Sequence, residues 1–133
     1  MSENFPILVV DDSAAMRQTV KSVLIARGYD KIEMASNGTE ALQKCAEASF
    51  KIVFLDWNMP GVDGMSFLQS FRSNTANQKS AVVMLTALSD KKSVIAAMEA
   101  GATYYMTKPV STENIQKKLE QAIEWVKTQE ALP

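Results

Sequence analysis

Short runs of consecutive apolar residues recur along the chain, and each ends at a polar residue or a turn. Three of the runs are apolar throughout, which is typical of strands that are buried on both faces. Two others are shorter or alternate apolar with polar positions, which is typical of strands at the edge of a sheet. The pattern predicts five strands, at Phe5–Val10, Lys31–Ala35, Ile52–Leu55, Ala81–Leu85 and Thr103–Met106.

Between the strands, apolar residues recur every three or four positions, which is the spacing of helices with one buried face. Ser and Asn favour the position just before a helix, and the segment from Asn37 to Glu40 resembles a capping box. Five helices are predicted. Four of them begin after a capping residue, at Ser13, Asn37, Ser89 and Ser111, and the third helix follows the loop that contains Pro60, Gly61 and Gly64. Gly28 ends the first helix and Gly101 ends the fourth.

Strands that alternate with helices predict an α/β fold with a parallel sheet and helices on both faces. Because the first, third and fourth strands are the most apolar, they are expected at the centre of the sheet. Right-handed crossovers then favour a flavodoxin-like (βα)5 three-layer sandwich with the strand order 2-1-3-4-5. In this order, the crevice that binds ligands opens between the carboxyl ends of strands 1 and 3.

The size and composition of the chain fit one domain. A chain of 133 residues is too short for two, so we expect a single domain over residues 1–133, with a core from about residue 5 to 126 and no output domain. The net charge of −1 argues against nucleic-acid binding, and no apolar run reaches the ~20 residues that span a bilayer. A single cysteine excludes an internal disulfide and suits the reducing cytosol. We therefore expect a cytoplasmic monomer.

Polar and charged residues follow four of the five predicted strands, at Asp11, Asp12, Asp56, Thr86 and Lys108. Parallel strands would bring all of them to one edge of the sheet. Carboxylates about 4 Å apart repel by roughly 4 kcal/mol per pair at an effective dielectric constant near 20, so they require a cation. The chain contains no histidine, and oxygen ligands without histidine or cysteine suit a hard cation such as Mg²⁺.

Each of these residues also has an ordinary structural explanation. The aspartates could cap helices or turns, Thr86 could be a β-branched strand residue, and Lys108 could be solvated. Five separate explanations that converge on one edge are less economical than one site. The pattern therefore favours a functional site.

Four segments resemble, in order, the signature of response-regulator receiver domains: Asp11-Asp12, Asp56 within Leu55–Gly64, Thr86-Ala87 and Lys108-Pro109. Each segment alone is a weak signal, but all four at successive strand ends form a specific one. The resemblance runs from about Phe5 to Val126, nearly the whole chain, and is strongest to the stand-alone chemotaxis-type regulators.

The resemblance implies that Asp56 accepts a phosphoryl group from the phosphohistidine of a histidine kinase or a histidine phosphotransfer protein. It also implies that Asp12, Asp56 and the backbone carbonyl of Asn58 hold Mg²⁺, with Asp11 acting largely through water. Such a domain is a signalling module rather than an enzyme, although it catalyses its own phosphorylation and slow autodephosphorylation.

By the same resemblance, Lys108 pairs with Asp56 and then with a phosphate oxygen, and the Lys108-Pro109 bond is cis. The Thr86 hydroxyl donates to another phosphate oxygen. Tyr105 is at the position of the family's switch aromatic, whose ring would occupy space that Thr86 vacates. The surface between Ser89 and Val126 would then bind a downstream protein, in a chemotaxis-like or a relay pathway.

Two other classes of protein share parts of this pattern. A phosphatase of the haloacid dehalogenase type also uses Asp, Lys and Thr around Mg²⁺, but it needs an Asp-x-Asp motif, whereas Asp56 is followed by Trp57 and Asn58. The other class is a binding module. A flavodoxin-like FMN carrier would need a Ser/Thr-rich phosphate loop after the first strand, and a receiver that is never phosphorylated would lack some of the site residues.

Overall fold

The computed structural model describes residues 4–59 and 61–132, which contain one five-stranded parallel sheet. The strands are β1 (Ile7–Val10), β2 (Ile32–Ala35), β3 (Ile52–Asp56), β4 (Ala81–Thr86) and β5 (Tyr104–Thr107). Their order is β2-β1-β3-β4-β5, and every neighbouring pair is parallel. The predicted fold class and strand order are therefore confirmed. Pro60, which was expected to break regular structure, lies outside the described residues.

Five α-helices connect and follow the strands in the described part of the chain. They are α1 (Ala14–Ala26), α2 (Gly38–Glu47), α3 (Gly64–Ser73), α4 (Lys91–Ala100) and α5 (Thr112–Ala131), and a single 3-10 turn at Thr75–Asn77 follows α3. None of the helices in the described ranges combines the length and apolar character needed to cross a membrane.

The helices cover both faces of the sheet. Because successive side chains of a strand point to opposite faces, Ile7 and Val9 pack on the side of α1 and α5, while Leu8 and Val10 pack on the side of α2, α3 and α4. The strands β1, β3 and β4 are buried along their whole length, whereas β2 and β5 contain half-buried and exposed residues. This confirms the predicted centre and edges of the sheet.

Three of the predicted helix starts are confirmed by their capping bonds. The side chains of Ser13, Asn37 and Ser111 accept hydrogen bonds from backbone N–H groups three residues ahead, at 3.2, 2.8 and 3.1 Å. In the predicted capping box, the Glu40 carboxylate reaches back to the N–H of Ser36 at 2.6 Å, one residue before the cap. These bonds satisfy N–H groups that have no partner within the helix.

The prediction that Ser89 caps α4 is wrong by one residue. Asp90 is the N-cap, and its carboxylate accepts the backbone N–H of Ser93 at 3.0 Å and the Ser93 hydroxyl at 2.8 Å. A carboxylate can accept both bonds at once and carries the negative charge that a helix N-terminus favours. As predicted, α4 ends at Gly101, whose φ of +112° is readily accessible only to glycine.

The sequence predicts that Gly64 breaks regular structure, and this prediction is wrong. Gly64 is the first residue of α3. Asp63 is the N-cap, and its side chain accepts the N–H of Ser66 at 2.9 Å. A side chain at Gly64 would collide with the carbonyl oxygen of Asp56 and the Cα of Trp57. The glycine is therefore required because α3 begins directly against the end of β3.

Candidate functional site

Asp11 follows β1 and accepts hydrogen bonds through both its side chain and its backbone carbonyl. Its side chain is only 1% exposed. One carboxylate oxygen accepts the N–H of Ser13 at 2.9 Å, and the other accepts Lys108 Nζ at 3.0 Å. Its backbone carbonyl accepts Arg17 Nη1 at 2.6 Å. Asp11 is thus held in one orientation by three donors from different parts of the chain.

Asp56 is the last residue of β3 and is 4% exposed. Burial raises the pKa of its carboxyl to about 6, and the neighbouring charge of Asp11 acts in the same direction. Lys108, whose Nζ lies 3.4 Å from Asp56 Oδ1, opposes this rise. One lysine compensates only part of the cost of holding two buried carboxylates side by side.

Asp12 completes a group of three carboxylates. Ligand oxygens of Asp11, Asp12 and Asp56 all lie within 4.8 Å of one another, and Asp12 is exposed where the other two are buried. Oxygen donors of this kind, with one side open to water, fit a hard divalent cation that keeps part of its hydration shell. The donor set therefore fits Mg²⁺.

Lys108 links the ends of three strands. Its ammonium group bonds Asp11 and approaches Asp56, while its backbone N–H donates to the Thr86 carbonyl at 2.7 Å. Burial would lower the pKa of Lys108, but its hydrogen bonds and ion pairs with the two aspartates outweigh burial and raise the pKa. The Lys108-Pro109 bond is cis, as predicted.

Thr86 ends β4 beside the carboxylates and is fully buried. The parallel register pairs Asp56 with Leu85, which places Thr86 one residue beyond Asp56 at the same edge. Its hydroxyl oxygen accepts the N–H of Leu88 at 3.2 Å, so the hydroxyl hydrogen can be donated to another group.

Tyr105 lies on β5, and its half-buried ring contacts the core on the side of α2, α3 and α4. Its hydroxyl donates to the Leu88 carbonyl at 2.6 Å. Burial raises the pKa of the phenol, and the charge of Asp90 acts in the same direction. Leu88 thus bonds Thr86 through its N–H and Tyr105 through its carbonyl.

The structure brings together most of the residues that the sequence predicted. Asp11, Asp12, Asp56 and Lys108 form one cluster, and Thr86 lies at the same edge. Asn58 is an exposed residue two positions past Asp56 in the following loop.

Two contributors to this edge are not predicted from the sequence, the side chain of Arg17 and the backbone of Leu88. Arg17 lies one turn into α1, where a charged residue is ordinarily taken as solvent-facing. The Leu88 groups that matter are backbone groups, which carry no sequence signal.

A parallel sheet of this order, with the buried Asp56 at the switch point between β1 and β3, two further aspartates and a lysine, is the arrangement that the sequence resemblance implies for a receiver domain. The sequence matches the response regulator receiver domain family over residues 7–120. The chain belongs to this family, and the resemblance found in the sequence is confirmed.

Several of the proteins that this chain is similar to are chemotaxis regulators. The chain is 36% identical to chemotaxis protein CheY1 of Helicobacter pylori over 115 residues, which is 86% of this chain and 93% of that protein. It is 33% identical to CheY-3 of Vibrio cholerae over 124 residues, which is 93% of this chain and 95% of that protein. The solved structure of the chemotaxis response regulator CheY4 of Vibrio cholerae matches with a TM-score of 0.82 at 33% identity, covering 87% of this chain and 96% of that one.

Proposed function

We propose that this chain is a phosphoacceptor response regulator in which Asp56 accepts a phosphoryl group from the phosphohistidine of a histidine kinase or a histidine phosphotransfer protein. The observation that carries the proposal is the cluster of Asp11, Asp12 and Asp56 beside Lys108 at the carboxyl edge of the sheet. Membership of the receiver family supports this assignment over a phosphatase or a flavin carrier.

In the proposed reaction, a carboxylate oxygen of Asp56 attacks phosphorus and forms an acyl phosphate. The bond between phosphorus and the donor imidazole breaks, and the imidazole leaves with its electron pair and takes up a proton. Phosphoryl transfer of this kind depends mainly on positioning and on neutralising charge. Asp56 is held at the end of a fully buried strand, which provides the positioning.

Lys108, the Thr86 hydroxyl and the residues that would hold Mg²⁺ would each contact the phosphoryl group or its counter-ion during transfer. Lys108 already lies between Asp11 and Asp56 and can contact a phosphate oxygen with little movement. The Thr86 hydroxyl can donate to a second oxygen, because its hydrogen is not used in the bond with Leu88. Asp12, Asp56 and the carbonyl of Asn58 would hold Mg²⁺, with Asp11 acting through water, and the ion would supply Lewis-acid stabilisation of the phosphoryl oxygens.

The output would be a change at the surface formed by α4, β5 and α5, which covers the range from Ser89 to Val126. Thr86 and Tyr105 both bond the same residue, Leu88, so a movement of Thr86 toward the phosphate would alter the support of the Tyr105 hydroxyl. A hydrogen bond to a charged group contributes about 1.5–3 kcal/mol, enough to shift a two-state equilibrium about ten- to a hundredfold. The partner would be a protein in a chemotaxis-like pathway, as the names of the relatives suggest.

We further propose that residues 1–133 act as a single receiver domain whose output is contact with other proteins. The match covers 93% and 95% of the two chemotaxis relatives.

Incubation with acetyl phosphate and Mg²⁺, followed by intact-mass measurement, tests the proposal. We expect the mass of one phosphoryl group to be added to the protein, and the addition to be lost with a chelator or in Asp56→Asn. The matched control is Asp30→Asn, which changes an exposed aspartate before β2, at the opposite edge of the sheet. Phosphorylation of Asp56→Asn at the parental rate, or none of the parent protein, would contradict the proposal.

A further inference from the structure

The start of α2 lies in direct contact with the loop that follows Asp56. A Cβ atom at Gly38, the first residue of α2, would collide with the carbonyl oxygen of Val62 and would lie 2.7 Å from Val62 Cγ1 and 2.8 Å from Val62 Cβ. Ordinary contacts between carbon atoms are about 3.5–4.0 Å. Only glycine allows the two segments to pack this closely.

The other side of the same loop is closed by a second glycine. Gly64 donates its N–H to the Trp57 carbonyl at 2.8 Å, and its Cα packs against the peptide between Asp56 and Trp57. Val62 lies two residues before Gly64. The position of Val62 is therefore tied through Gly64 to Trp57, and Trp57 is the residue next to Asn58.

We infer that Gly38 is a positioning residue for the acidic site, which acts through Val62 to fix the loop that carries the Asn58 carbonyl. This inference rests on the proposed role of that carbonyl as a ligand of Mg²⁺. Because the colliding atom is a backbone oxygen, a methyl group at position 38 displaces the loop itself rather than a mobile side-chain end. Mg²⁺ requires nearly ideal octahedral geometry, so a loop displaced by about 1 Å loses affinity for the ion.

The substitution Gly38→Ala tests this inference without changing any charge. The Mg²⁺ dissociation constant is measured by titrating the fluorescence of Trp57 in a Trp125→Phe background, since the chain has two tryptophans. We expect Gly38→Ala to raise the dissociation constant at least about fivefold, at a temperature well below its unfolding midpoint.

The matched control is Gly101→Ala. A Cβ at Gly101 would also collide, at 2.8 Å from Arg72 Cγ, and its φ of +112° strains any other residue, so this variant also loses stability. Gly101 lies before β5, at the amino-terminal ends of the strands, whereas the acidic site lies at their carboxyl ends. Its dissociation constant should stay within about twofold of the parent value, since no part of the loop after Asp56 moves. An equal loss of affinity in both variants, or no loss in Gly38→Ala, would overturn the inference.

Two further measurements keep the inference testable. If Gly38→Ala does not fold, Val62→Gly loosens the backbone that packs against Gly38, and an unchanged Mg²⁺ affinity in that variant rejects the inference. If the parent protein binds no Mg²⁺, the proposed function fails, and hydrogen exchange without metal decides the inference separately. Faster exchange of the Trp57, Asn58 and Val62 amides in Gly38→Ala supports it, and unchanged exchange refutes it.

Discussion

The hydroxyl of Tyr105 donates a 2.6 Å hydrogen bond to the backbone carbonyl of Leu88, while the N–H of the same Leu88 donates to the Thr86 hydroxyl oxygen at 3.2 Å. Thr86 and Tyr105, the two residues that the family resemblance implies as a switch, are therefore both hydrogen-bonded to the backbone of the same residue, Leu88. Coupling between them requires no contact between their own side chains.

Removing the Tyr105 hydroxyl should loosen the segment between Thr86 and Tyr105. A typical net hydrogen bond contributes about 1 kcal/mol, so Tyr105→Phe is expected to speed hydrogen exchange of the Leu88 amide about fivefold. Tyr104→Phe is the matched control, because the Tyr104 hydroxyl bonds the carbonyl of Gln121 instead. If hydrogen exchange of the Leu88 amide is unchanged in Tyr105→Phe, Tyr105 is not part of the proposed switch.

Replacing Asp56 by asparagine should stabilise the protein in the absence of divalent cations. The pKa of Asp56 is raised by burial from 3.8 to about 6, so the folded state binds the proton more tightly than the unfolded state does. Stability conferred by the neutral carboxyl is therefore lost as the pH rises from about 4 to 6. Above pH 6 the ionised carboxyl costs up to about 3 kcal/mol.

Urea unfolding of the parent protein and Asp56→Asn, with a chelator present, measures this difference. We expect the variant to be more stable at pH 8 and equal to the parent at pH values below about 4. Adding Mg²⁺ should stabilise the parent and not the variant, because binding to the folded state alone raises stability. If the variant is less stable than the parent at pH 8, the ionised carboxyl of Asp56 does not lower the stability of the folded protein, and the prediction is wrong.

Leu88 places a half-buried apolar side chain two residues beyond Thr86, which ends β4 at the same edge as Asp56. Under the proposed function, loss of a phosphoryl group from Asp56 would require a hydrolytic water at this edge. A carboxylate at this position could orient that water by hydrogen bonding. Leu88→Glu should therefore shorten the lifetime of the phosphorylated protein several-fold, measured after acetyl phosphate is removed. Leu88→Met keeps the apolar character and is expected to retain the parental lifetime, and the same lifetime in Leu88→Glu would refute the prediction.

Arg72 should be a major source of stability far from the site. Its guanidinium donates to the carbonyls of Gly101, Asn77 and Ser80 at 2.7–2.8 Å and to the Thr103 hydroxyl at 3.1 Å. Arg72→Met keeps much of the side-chain volume but removes all four of these hydrogen bonds, so we expect a loss of about 2–4 kcal/mol in urea unfolding.

The rate of phosphorylation by acetyl phosphate should stay unchanged in Arg72→Met, because Arg72 contacts the ends of α3 and α4 rather than the acidic edge. A loss below about 0.5 kcal/mol would mean that water satisfies these carbonyls equally well.

The features that follow from side-chain pattern were predictable from the sequence. The wholly apolar runs before Asp11, Asp56 and Thr86 gave the three central strands, and their polar ends gave the edge at which the site lies. These predictions are correct because a strand that is buried on both faces contains only apolar residues, and because the carboxyl ends of parallel strands lie at the same side of the sheet.

The features that depend on exact backbone position were not predictable. Ser89 and Asp90 are both good caps, and the choice between them depends on which side chain reaches the N–H of Ser93. Because glycine is common in loops, the sequence predicts a break at Gly64, whereas in the structure this glycine permits a close approach to Asp56. Arg17 bonds a carbonyl that only the folded turn brings within reach.

Asp56 and Tyr105 occupy different positions within the sheet. Asp56 lies on a central strand that is packed from both sides, whereas Tyr105 lies on the outermost strand, which pairs with a neighbour on one side only. Marginal strands open more easily than interior ones. Under the proposed function, phosphorylation of the interior Asp56 would therefore be expressed as altered mobility at the periphery, where another molecule could detect it without disturbing the interior.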